Sequence, residues 1–302
     1  MTSPTTSRTA LPPAAVTGLG ALTPLGADVA ALWSGLLEAR SGAVTLTEEW
    51  AEKVPVRIAA QVKVDPAEVL GRVTPRTLDR VQQLALVAAR EAWADAGAPD
   101  VEPERLAVVV GTGIGGAVTM LGQHDVVRDR GARRVSPHTV PMLMPNGPAA
   151  AVGLEVGARG GVHTPVSACA SGAEALAMGL DLLRLDRADV VVVGGSEACI
   201  HPLPMAGFGQ MRALSPREDH DAASRPFDKG RDGFLLGEGA GMLVLEREES
   251  ARARGAMVHG LLAGGAVTSD AHHITAPDPA GSGASRAITL ALGSAGLAPA
   301  DV

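Results

Sequence analysis

The chain has 302 residues, of which 46% are hydrophobic, and it carries 26 basic and 33 acidic residues for a formal net charge of −7 at pH 7. This hydrophobic content is enough for a substantial core, whereas the negative charge argues against a nucleic-acid binder, because such proteins bind by neutralising phosphates. Every apolar run stops well short of the ~18 residues that a membrane-spanning helix needs, so neither nucleic acid nor a membrane is an expected partner.

The chain contains two cysteines, Cys169 and Cys199. They are too few for a disulfide framework and do not form the Cys-x-x-Cys pairs of structural zinc sites, so we expect a reducing, cytoplasmic location and no metal. The first 13 residues are rich in Ser, Thr and Pro. They do not resemble a signal peptide, and we predict a disordered tail at 1–13.

After this tail, short apolar runs alternate with helical patterns. Strands are predicted at 14–19, 106–110, 161–166, 190–193, 239–246 and 258–267. Helices are predicted at 28–38, 75–96, 170–185 and 247–254, and another begins at 281. Continuous apolar strands separated by helices are typical of a parallel or mixed sheet that is covered by helices on both faces.

The predicted helix at 170–185 is apolar nearly all round, with Glu174 and Asp181 as the exceptions. Such a helix is buried on both sides, so we expect a sheet on each flank. The segments before residue 258 supply strands for about one sheet. We therefore predict an α/β fold of two similar halves, with a complete N-terminal half at 14–255 and a C-terminal half at 256–302 that is only begun.

Residues 111–116, Gly-Thr-Gly-Ile-Gly-Gly, follow a predicted strand and match the Gly-x-Gly-x-x-Gly pattern of dinucleotide-binding loops. A nucleotide site would also need a second strand that ends in Asp or Glu about 20 residues later. Residues 129–134 instead form the polar stretch Asp-Arg-Gly-Ala-Arg-Arg. Close packing of the backbone beside a pocket is therefore the favoured interpretation.

Cys169 lies where a predicted strand meets a helix of small residues, in the run Ser-Ala-Cys-Ala-Ser-Gly. The free N–H groups and the dipole at a helix N-terminus favour thiolate over thiol, and a free cysteine has a pKa near ~8.5. Small neighbours leave room for a substrate and for an oxyanion hole. The alternative is a small packing residue. The strand-to-helix turn favours a nucleophile at Cys169, whereas Cys199 has no such turn and is expected to be structural.

Two further segments are rich in functional residue types. His272 and His273 form the only adjacent histidine pair, and because their segment offers no further metal ligands we expect it to line a cleft. Residues 225–234 mix opposite charges with Phe227 and Phe234. We predict a packed, ion-paired loop there.

Three separated motifs together resemble the β-ketoacyl synthases that act on acyl carrier protein (ACP). They are the cysteine run at 166–172, the stretch Ala-Ser-Arg-Pro-Phe-Asp at 223–228 that leads into 233–245, and Ser-Asp-Ala-His-His-Ile-Thr at 269–275. The resemblance extends from about residue 14 to residue 302 and is strongest to the elongating type II enzymes of fatty acid synthesis. It implies the thiolase fold, a layered αβαβα arrangement of two similar halves.

In that family a cysteine takes an acyl group from ACP, after which malonyl-ACP loses CO2 and its carbanion attacks the thioester. The resemblance implies that Cys169 is this nucleophile and that Ile114 and Phe208 border the acyl tunnel. It also implies that Thr275 contacts the 4′-phosphopantetheine arm, which ACP carries, so that the enzyme needs no cofactor of its own. Residues 141–146 match a segment at the interface of the family's homodimer.

ACP is strongly acidic, so an acidic synthase needs a local basic patch to attract it. Arg133, Arg134 and Arg212 match ACP-docking positions of the family, and Arg72 and Arg76 are weaker matches. The alternative for each is an ordinary solvated arginine.

Three other functions are compatible with these motifs. A thiolase would use coenzyme A and a second catalytic cysteine, for which Cys199 is poorly placed. A type II polyketide ketosynthase would share every motif present. A non-catalytic truncated subunit would act only as a dimer partner or ACP binder.

The family carries one catalytic histidine in a His-Gly-Thr motif and another in a Lys-Ser-x-x-Gly-His motif, and neither occurs in the 302 residues. We therefore expect the chain to be truncated relative to the family, and to accept an acyl group on Cys169 without completing condensation. Mass spectrometry of the purified chain incubated with an acyl donor and malonyl-ACP checks this expectation. A ketoacyl product would contradict it.

Overall fold

The computed structural model describes residues 11–71 and 76–302, which form a six-stranded mixed sheet, a two-stranded ribbon and the helices around them. The strands are β1 (Ala14–Leu22), β2 (Val44–Thr45), β3 (Ile58–Ala59), β4 (Leu106–Gly111), β5 (Val162–His163), β6 (Val190–Glu197), β7 (Gly239–Arg247) and β8 (Gly260–Leu262). The helices are α1 (Val29–Leu37), α2 (Pro66–Leu70), α3 (Arg80–Asp95), α4 (Ala117–Arg130), α5 (Thr139–Leu143), α6 (Gly147–Val156), α7 (Ser171–Arg184), α8 (Pro202–Gln210), α9 (Glu248–Ala253) and α10 (Ser282–Ala295). Arg72 and residues 1–10 of the predicted tail lie outside the described residues.

The large sheet has the strand order β5-β4-β6-β7-β1-β8. β4 runs parallel to β5 and β6, whereas β7 runs antiparallel to β6 and β1, and β8 runs antiparallel to β1. All of β4 and the first five residues of β6 are buried. Continuous apolar runs are typical of strands buried on both faces, so the mixed α/β sheet expected from the sequence is confirmed.

Alternate residues of β4 and β6 pack against helices on opposite faces of the sheet. Val108 and Val192 belong to the apolar core that includes α3, whereas Val109 and Val193 belong to the core that includes α7. Because successive side chains of a strand point to opposite faces, each run of valines stabilises both layers at once. The carboxyl ends of these two strands are thereby held in fixed positions between two layers of helix.

One face of α7 packs on β4 and β6. On the other side of the helix, Gly265 lies against Ala177, and Arg184 donates a hydrogen bond to the carbonyl oxygen of Ala263 at 2.7 Å. Leu176 remains half-buried. The two-sided cover predicted for this helix is therefore complete on the sheet side and partial on the other side.

Two strands are shorter than the sequence predicts. The strand predicted at 161–166 is reduced to β5, because Pro165 has no N–H to donate to a neighbouring strand. The strand predicted at 258–267 is reduced to β8. A side chain at Gly264 would lie 2.3 Å from the carbonyl oxygen of Ala291 in α10, so the chain leaves the sheet there and passes close beneath that helix.

The helix predicted at 75–96 begins at Arg80. The Asp79 carboxylate accepts the N–H of Val81 at 2.9 Å, and the Gln82 side chain accepts the N–H of Asp79 at 2.8 Å. These reciprocal bonds form a capping box, which satisfies the free N–H groups of the first turn and fixes where the helix starts.

Among the described residues, no helix is both long and apolar enough to cross a bilayer.

Helix α3 lies unusually close to β1, because two alternate positions of that strand are glycine. A Cβ atom at Gly18 would lie 2.1 Å from the carbonyl oxygen of Ala92, and one at Gly20 would lie 1.9 Å from that of Ala88. Real side chains cannot approach a carbonyl oxygen so closely, so these glycines set the distance between the helix layer and the sheet.

We predict that Gly20→Ala destabilises the protein by about 1–3 kcal/mol, because the added methyl group must push α3 away from the sheet. Urea unfolding followed by circular dichroism measures the change. Gly241→Ala in β7 is the matched control, since a Cβ atom there meets nothing within 4 Å in the described chain. Equal stability of the two variants would contradict the role assigned to Gly20.

Candidate active site

Cys169 lies at the start of α7, in the 3₁₀ turn Ala168–Ala170, and is exposed. Ala168 has a φ of +53°, in the left-handed region that residues with a side chain rarely adopt. The hydroxyl group of Ser171 holds this turn: it accepts the N–H of Ser167 at 2.9 Å and lies 2.7 Å from the carbonyl oxygen of Ala168, to which it can donate. The strained turn directs the backbone so that Cys169 precedes the first full turn of the helix.

A cavity of about 390 Å³ opens beside Cys169. Its lining is largely apolar and rich in glycine, and it includes Ile114 and Phe208, which the sequence predicts to border an acyl tunnel. The ring of Phe208 packs edge-on against that of Phe234, with 5.3 Å between the ring centroids. The structure thus brings three predicted site residues, one from each of three separate segments, into one cavity.

Cys199 also lines this cavity, but it is only 3% exposed. Burial, together with the nearby carboxylates of Glu197 and Glu238, raises the pKa of the Cys199 thiol to about 12. A thiol of that pKa is almost entirely protonated at neutral pH and is a poor nucleophile. This agrees with the structural role expected for Cys199.

Glu197 is a half-buried carboxylate that no motif of the sequence identifies. Its Oε2 atom accepts the backbone N–H of Gly113 at 2.8 Å and that of Ile114 at 3.1 Å, and its Oε1 atom accepts the N–H of Ala198 at 3.2 Å. Burial raises the pKa of Glu197, and this effect outweighs the hydrogen bonds, which lower it. The position of Glu197, at the carboxyl end of β6 beside that of β4, is the signal that could have identified it, because ligands bind at such ends in α/β sheets.

The glycine-rich loop at 111–116 is closely packed. A Cβ atom at Gly111 would lie 2.2 Å from the carbonyl oxygen of Ser171, and one at Gly116 would lie 2.0 Å from that of Met142. Gly115 has a φ of +82°. The Glu197 carboxylate accepts the N–H groups that a phosphate would use in a dinucleotide-binding loop. Close backbone packing beside a pocket, predicted from the sequence, is confirmed.

The other predicted site residues lie on the surface and are not part of the cavity lining. Thr275 is exposed, and its N–H donates to Nδ1 of His273 at 3.1 Å. Arg133 and Arg134 form a short 3₁₀ turn after α4, and Arg212 follows α8. These three arginines are exposed, and their guanidinium groups bond to no described residue.

The loop predicted at 225–234 is ion-paired, but one expectation about it is wrong. Arg225 lies 3.3 Å from the carboxylate of Asp232, which also accepts from Arg217 at 2.9 Å. Phe227, however, is 98% exposed and has a φ of +67°. The ion pairs fix the base of the loop, so its tip projects away from the core and Phe227 is not packed within it.

The described ranges contain no group of three or more His, Cys, Asp or Glu side chains that could hold a metal ion. His272 and His273 are both exposed. The cavity lining presents the thiol of Cys169 together with the polar side chains of Thr112, Ser171 and Glu197 and apolar walls.

Comparison with known proteins identifies the class of protein. The family model for the N-terminal domain of β-ketoacyl synthases matches residues 12–251, and the chain belongs to this family of acyltransferase-type enzymes. The layered α/β architecture is the thiolase-like fold of ketosynthases.

Three proteins show how similar the chain is to its relatives. It is 44% identical, over 97% of its length and 71% of the relative's, to "3-oxoacyl-[acyl-carrier-protein] synthase 2" of Mycobacterium tuberculosis. The structure of "The ishigamide ketosynthase/chain length factor" superposes with a TM-score of 0.87 at 31% identity, covering 97% of this chain and 72% of that one. A type II polyketide synthase ACP in complex with its ketosynthase superposes with a TM-score of 0.83 at 30% identity, with the same coverage.

We predict that iodoacetamide at neutral pH modifies Cys169 and leaves Cys199 unmodified. Cys169 is exposed, whereas a thiol with a pKa of about 12 is ionised in roughly one molecule in 10⁵ at pH 7. Peptide mass spectrometry over a time course measures both rates, and Cys169→Ser is the control. Comparable rates at the two thiols would contradict the assignment.

Proposed function

We propose that the chain is a 3-oxoacyl-ACP synthase of fatty acid elongation in which Cys169 accepts the growing acyl group. The observation that carries this proposal is the position of an exposed thiol at the start of α7, at the mouth of an apolar cavity of about 390 Å³. The 44% identity to a synthase of that name supports the substrate class. The fold alone does not specify the substrate or the pathway, since ketosynthase folds also serve other pathways.

In the proposed first half-reaction the Cys169 thiolate attacks the carbonyl carbon of an acyl thioester on ACP. A new C–S bond forms at Sγ, the original C–S bond breaks, and the pantetheine sulfur leaves and takes up a proton. The developing oxyanion needs hydrogen-bond donors that are already in place. The backbone N–H of Cys169 is one such donor in this proposal, because the strained turn fixes its direction.

The acyl chain extends into the cavity in this proposal, between Ile114 and Phe208. Each methylene group buried there contributes about 0.8 kcal/mol, so a longer chain binds more tightly until the cavity is filled. Glycines at 111, 113, 172 and 195 form part of the lining and have no side chains that would block the chain.

The second half-reaction requires histidines that these 302 residues do not supply, so it is proposed for a synthase in which the family's two histidine motifs are also present. There, malonyl-ACP loses CO2 and leaves a carbanion. The carbanion attacks the carbonyl carbon of the Cys169 thioester, a C–C bond forms, and the bond to Sγ breaks to regenerate the thiolate. The product is a β-ketoacyl group on ACP. No electrons are gained or lost overall, so the chemistry requires no redox cofactor.

We further propose that ACP docks on Arg133, Arg134 and Arg212. Many other arginines of the described chain are engaged by carboxylates, as Arg80 is by Glu238 at 2.6 Å. The three docking candidates are exposed and unengaged, so their charge is available to an acidic partner. The complex of a related ketosynthase with its ACP supports the class of partner. Thr275 is proposed to contact the 4′-phosphopantetheine arm that ACP delivers.

We predict that reversing the charge at the docking site, with Arg133→Glu and Arg134→Glu combined, slows acylation of Cys169 by acyl-ACP about tenfold or more at low salt. Acylation by an acyl-N-acetylcysteamine thioester should be unchanged, because that small uncharged donor presents no acidic surface to these arginines. Arg187→Glu is the matched control: Arg187 is also exposed, but it precedes β6 and lies at the opposite end of the sheet. Equal losses with both donors would contradict docking.

The chain is also proposed to act as a cytoplasmic homodimer. β5 is an edge strand, and Val162 within it is 41% exposed. A second copy placed along this edge, with residues 141–146 nearby, would cover Val162. Two free cysteines are also typical of a reducing compartment, which supports the cytoplasmic location. The family match at 12–251 supports the division into a half at 14–255 and a second beginning at 256.

A type II polyketide ketosynthase is the second candidate function, because solved structures with that activity superpose closely. The identity to those structures is 30–31%, against 44% for the fatty acid synthase, which favours elongation. Product analysis separates the two activities in a synthase that completes condensation. A polyketide enzyme adds several unreduced units to one primer, whereas a fatty acid enzyme stops after one ketoacyl unit until that unit is reduced.

A further inference from the structure

The glycine-rich loop at 111–116 and the half-buried carboxylate of Glu197 have no role in the proposed acyl transfer. They form one unit. Two adjacent N–H groups of the loop, from Gly113 and Ile114, converge on a single oxygen of Glu197. The Thr112 hydroxyl group approaches the same oxygen at 3.5 Å.

This unit joins the acyl cavity to the nucleophile turn. Ile114 projects from the loop into the cavity lining. At the other end of the loop, the carbonyl oxygen of Thr112 lies 3.1 Å from the hydroxyl oxygen of Ser171, which also contacts Ala168 next to Cys169. A displacement of the loop at Glu197 would therefore reach the turn that carries the thiol through two further hydrogen-bonded contacts.

We infer that Glu197 is a positioning residue that sets the acyl-chain length accepted at Cys169, by holding Ile114 across the cavity. The inference rests on the proposed function and deepens it by assigning its chain-length specificity.

Local geometry shows why the loop depends on this carboxylate. A Cβ atom at Gly113 would lie 2.8 Å from Oε2 of Glu197, so the loop and the carboxylate are in direct contact. Removal of the carboxylate leaves the N–H groups of half-buried Gly113 and of Ile114 without this acceptor, and the loss of hydrogen bonds to a charged group is costly. The loop would then shift to find new partners, and Ile114 would no longer be fixed.

The test measures passage of alkyl chains into the cavity without requiring acyl transfer. N-Ethyl-iodoacetamide and N-dodecyl-iodoacetamide both alkylate Cys169, and the ratio of the dodecyl rate to the ethyl rate reports how well a long chain fits. In Glu197→Ala the ratio should rise at least about fivefold, which corresponds to about 1 kcal/mol. Amide hydrogen exchange in peptides covering 111–116 should also become faster.

Two variants separate positioning from general loosening. Glu197→Gln keeps an acceptor oxygen and should keep the wild-type ratio within about twofold. Glu91→Ala is the matched control, because that carboxylate accepts the N–H groups of Ala21 and Val29 at 2.8 and 2.9 Å, on segments that do not line the cavity. A smaller rise in Glu197→Ala, or an equal rise in either of the other variants, would overturn the inference.

If Glu197→Ala does not fold, Glu197→Asp replaces it. Its side chain is one methylene shorter, so its oxygen is withdrawn from the loop, and the same rise in the ratio is expected. An unchanged ratio would overturn the inference. Failure of the proposed function has a different signature: no acyl thioester would acylate Cys169 in the wild-type chain, while the alkylation ratio would remain measurable.

Discussion

The carboxyl ends of the parallel strands β4 and β6 lie side by side, with Gly111 paired to Gly195, and the start of α7 is packed directly on both. A Cβ atom at Gly195 would lie 3.0 Å from the Cα atom of Gly172, so the backbone of the helix touches the backbone of the sheet. This close contact has three consequences for the site. It places Cys169 over the carboxyl ends of the two strands, and it leaves space for a cavity where side chains would otherwise lie. It also brings the loop after β4 within hydrogen-bonding distance of Glu197, the last residue of β6.

Much of this arrangement could be predicted from the sequence, because the signals are local. Valine runs identify the buried strands β4 and β6, and small residues around Cys169 indicate a turn into a helix. The strand order could not be predicted in the same way: β7 lies between β6 and β1 through pairings that join residues 14–22 to 239–247, and no local pattern encodes such a contact. Phe227 was expected to be packed because aromatic side chains usually are, but the ion pairs at the base of its loop direct it outward. The role of Glu197 was missed for a related reason, since two of its partners, Gly113 and Ile114, lie more than 80 positions away in the chain.

Some arginines form ion pairs that stabilise the fold, whereas others are exposed and unpaired on the surface. Buried carboxylates are matched by arginines, as Glu246 is by Arg254 at 2.5 Å, and a buried ion pair of this kind is strongly destabilised when one partner is removed. These arginines are therefore committed to the fold and cannot attract a partner. A net charge of −7 would repel an acidic protein at long range. The exposed, unpaired arginines at 133, 134 and 212 are the kind of local exception through which such a surface can still bind an acidic protein.

The two cysteines and Glu197 show how an apolar cavity can contain polar chemistry. Cys199 lies in the same cavity as Cys169, but its burial raises its pKa and keeps it protonated, so one of two thiols is available for reaction. A carboxylate in an apolar wall would normally destabilise the fold and repel an acyl chain. Hydrogen bonds offset part of this cost at Glu197, because its oxygens are directed at the N–H groups of Gly113, Ile114 and Ala198, although burial still raises its pKa. The loop supplies donors that would otherwise be unsatisfied, and the carboxylate supplies the acceptor that the loop lacks. The loop and the carboxylate therefore stabilise each other beside an apolar wall, which accounts for a glycine-rich turn at this position.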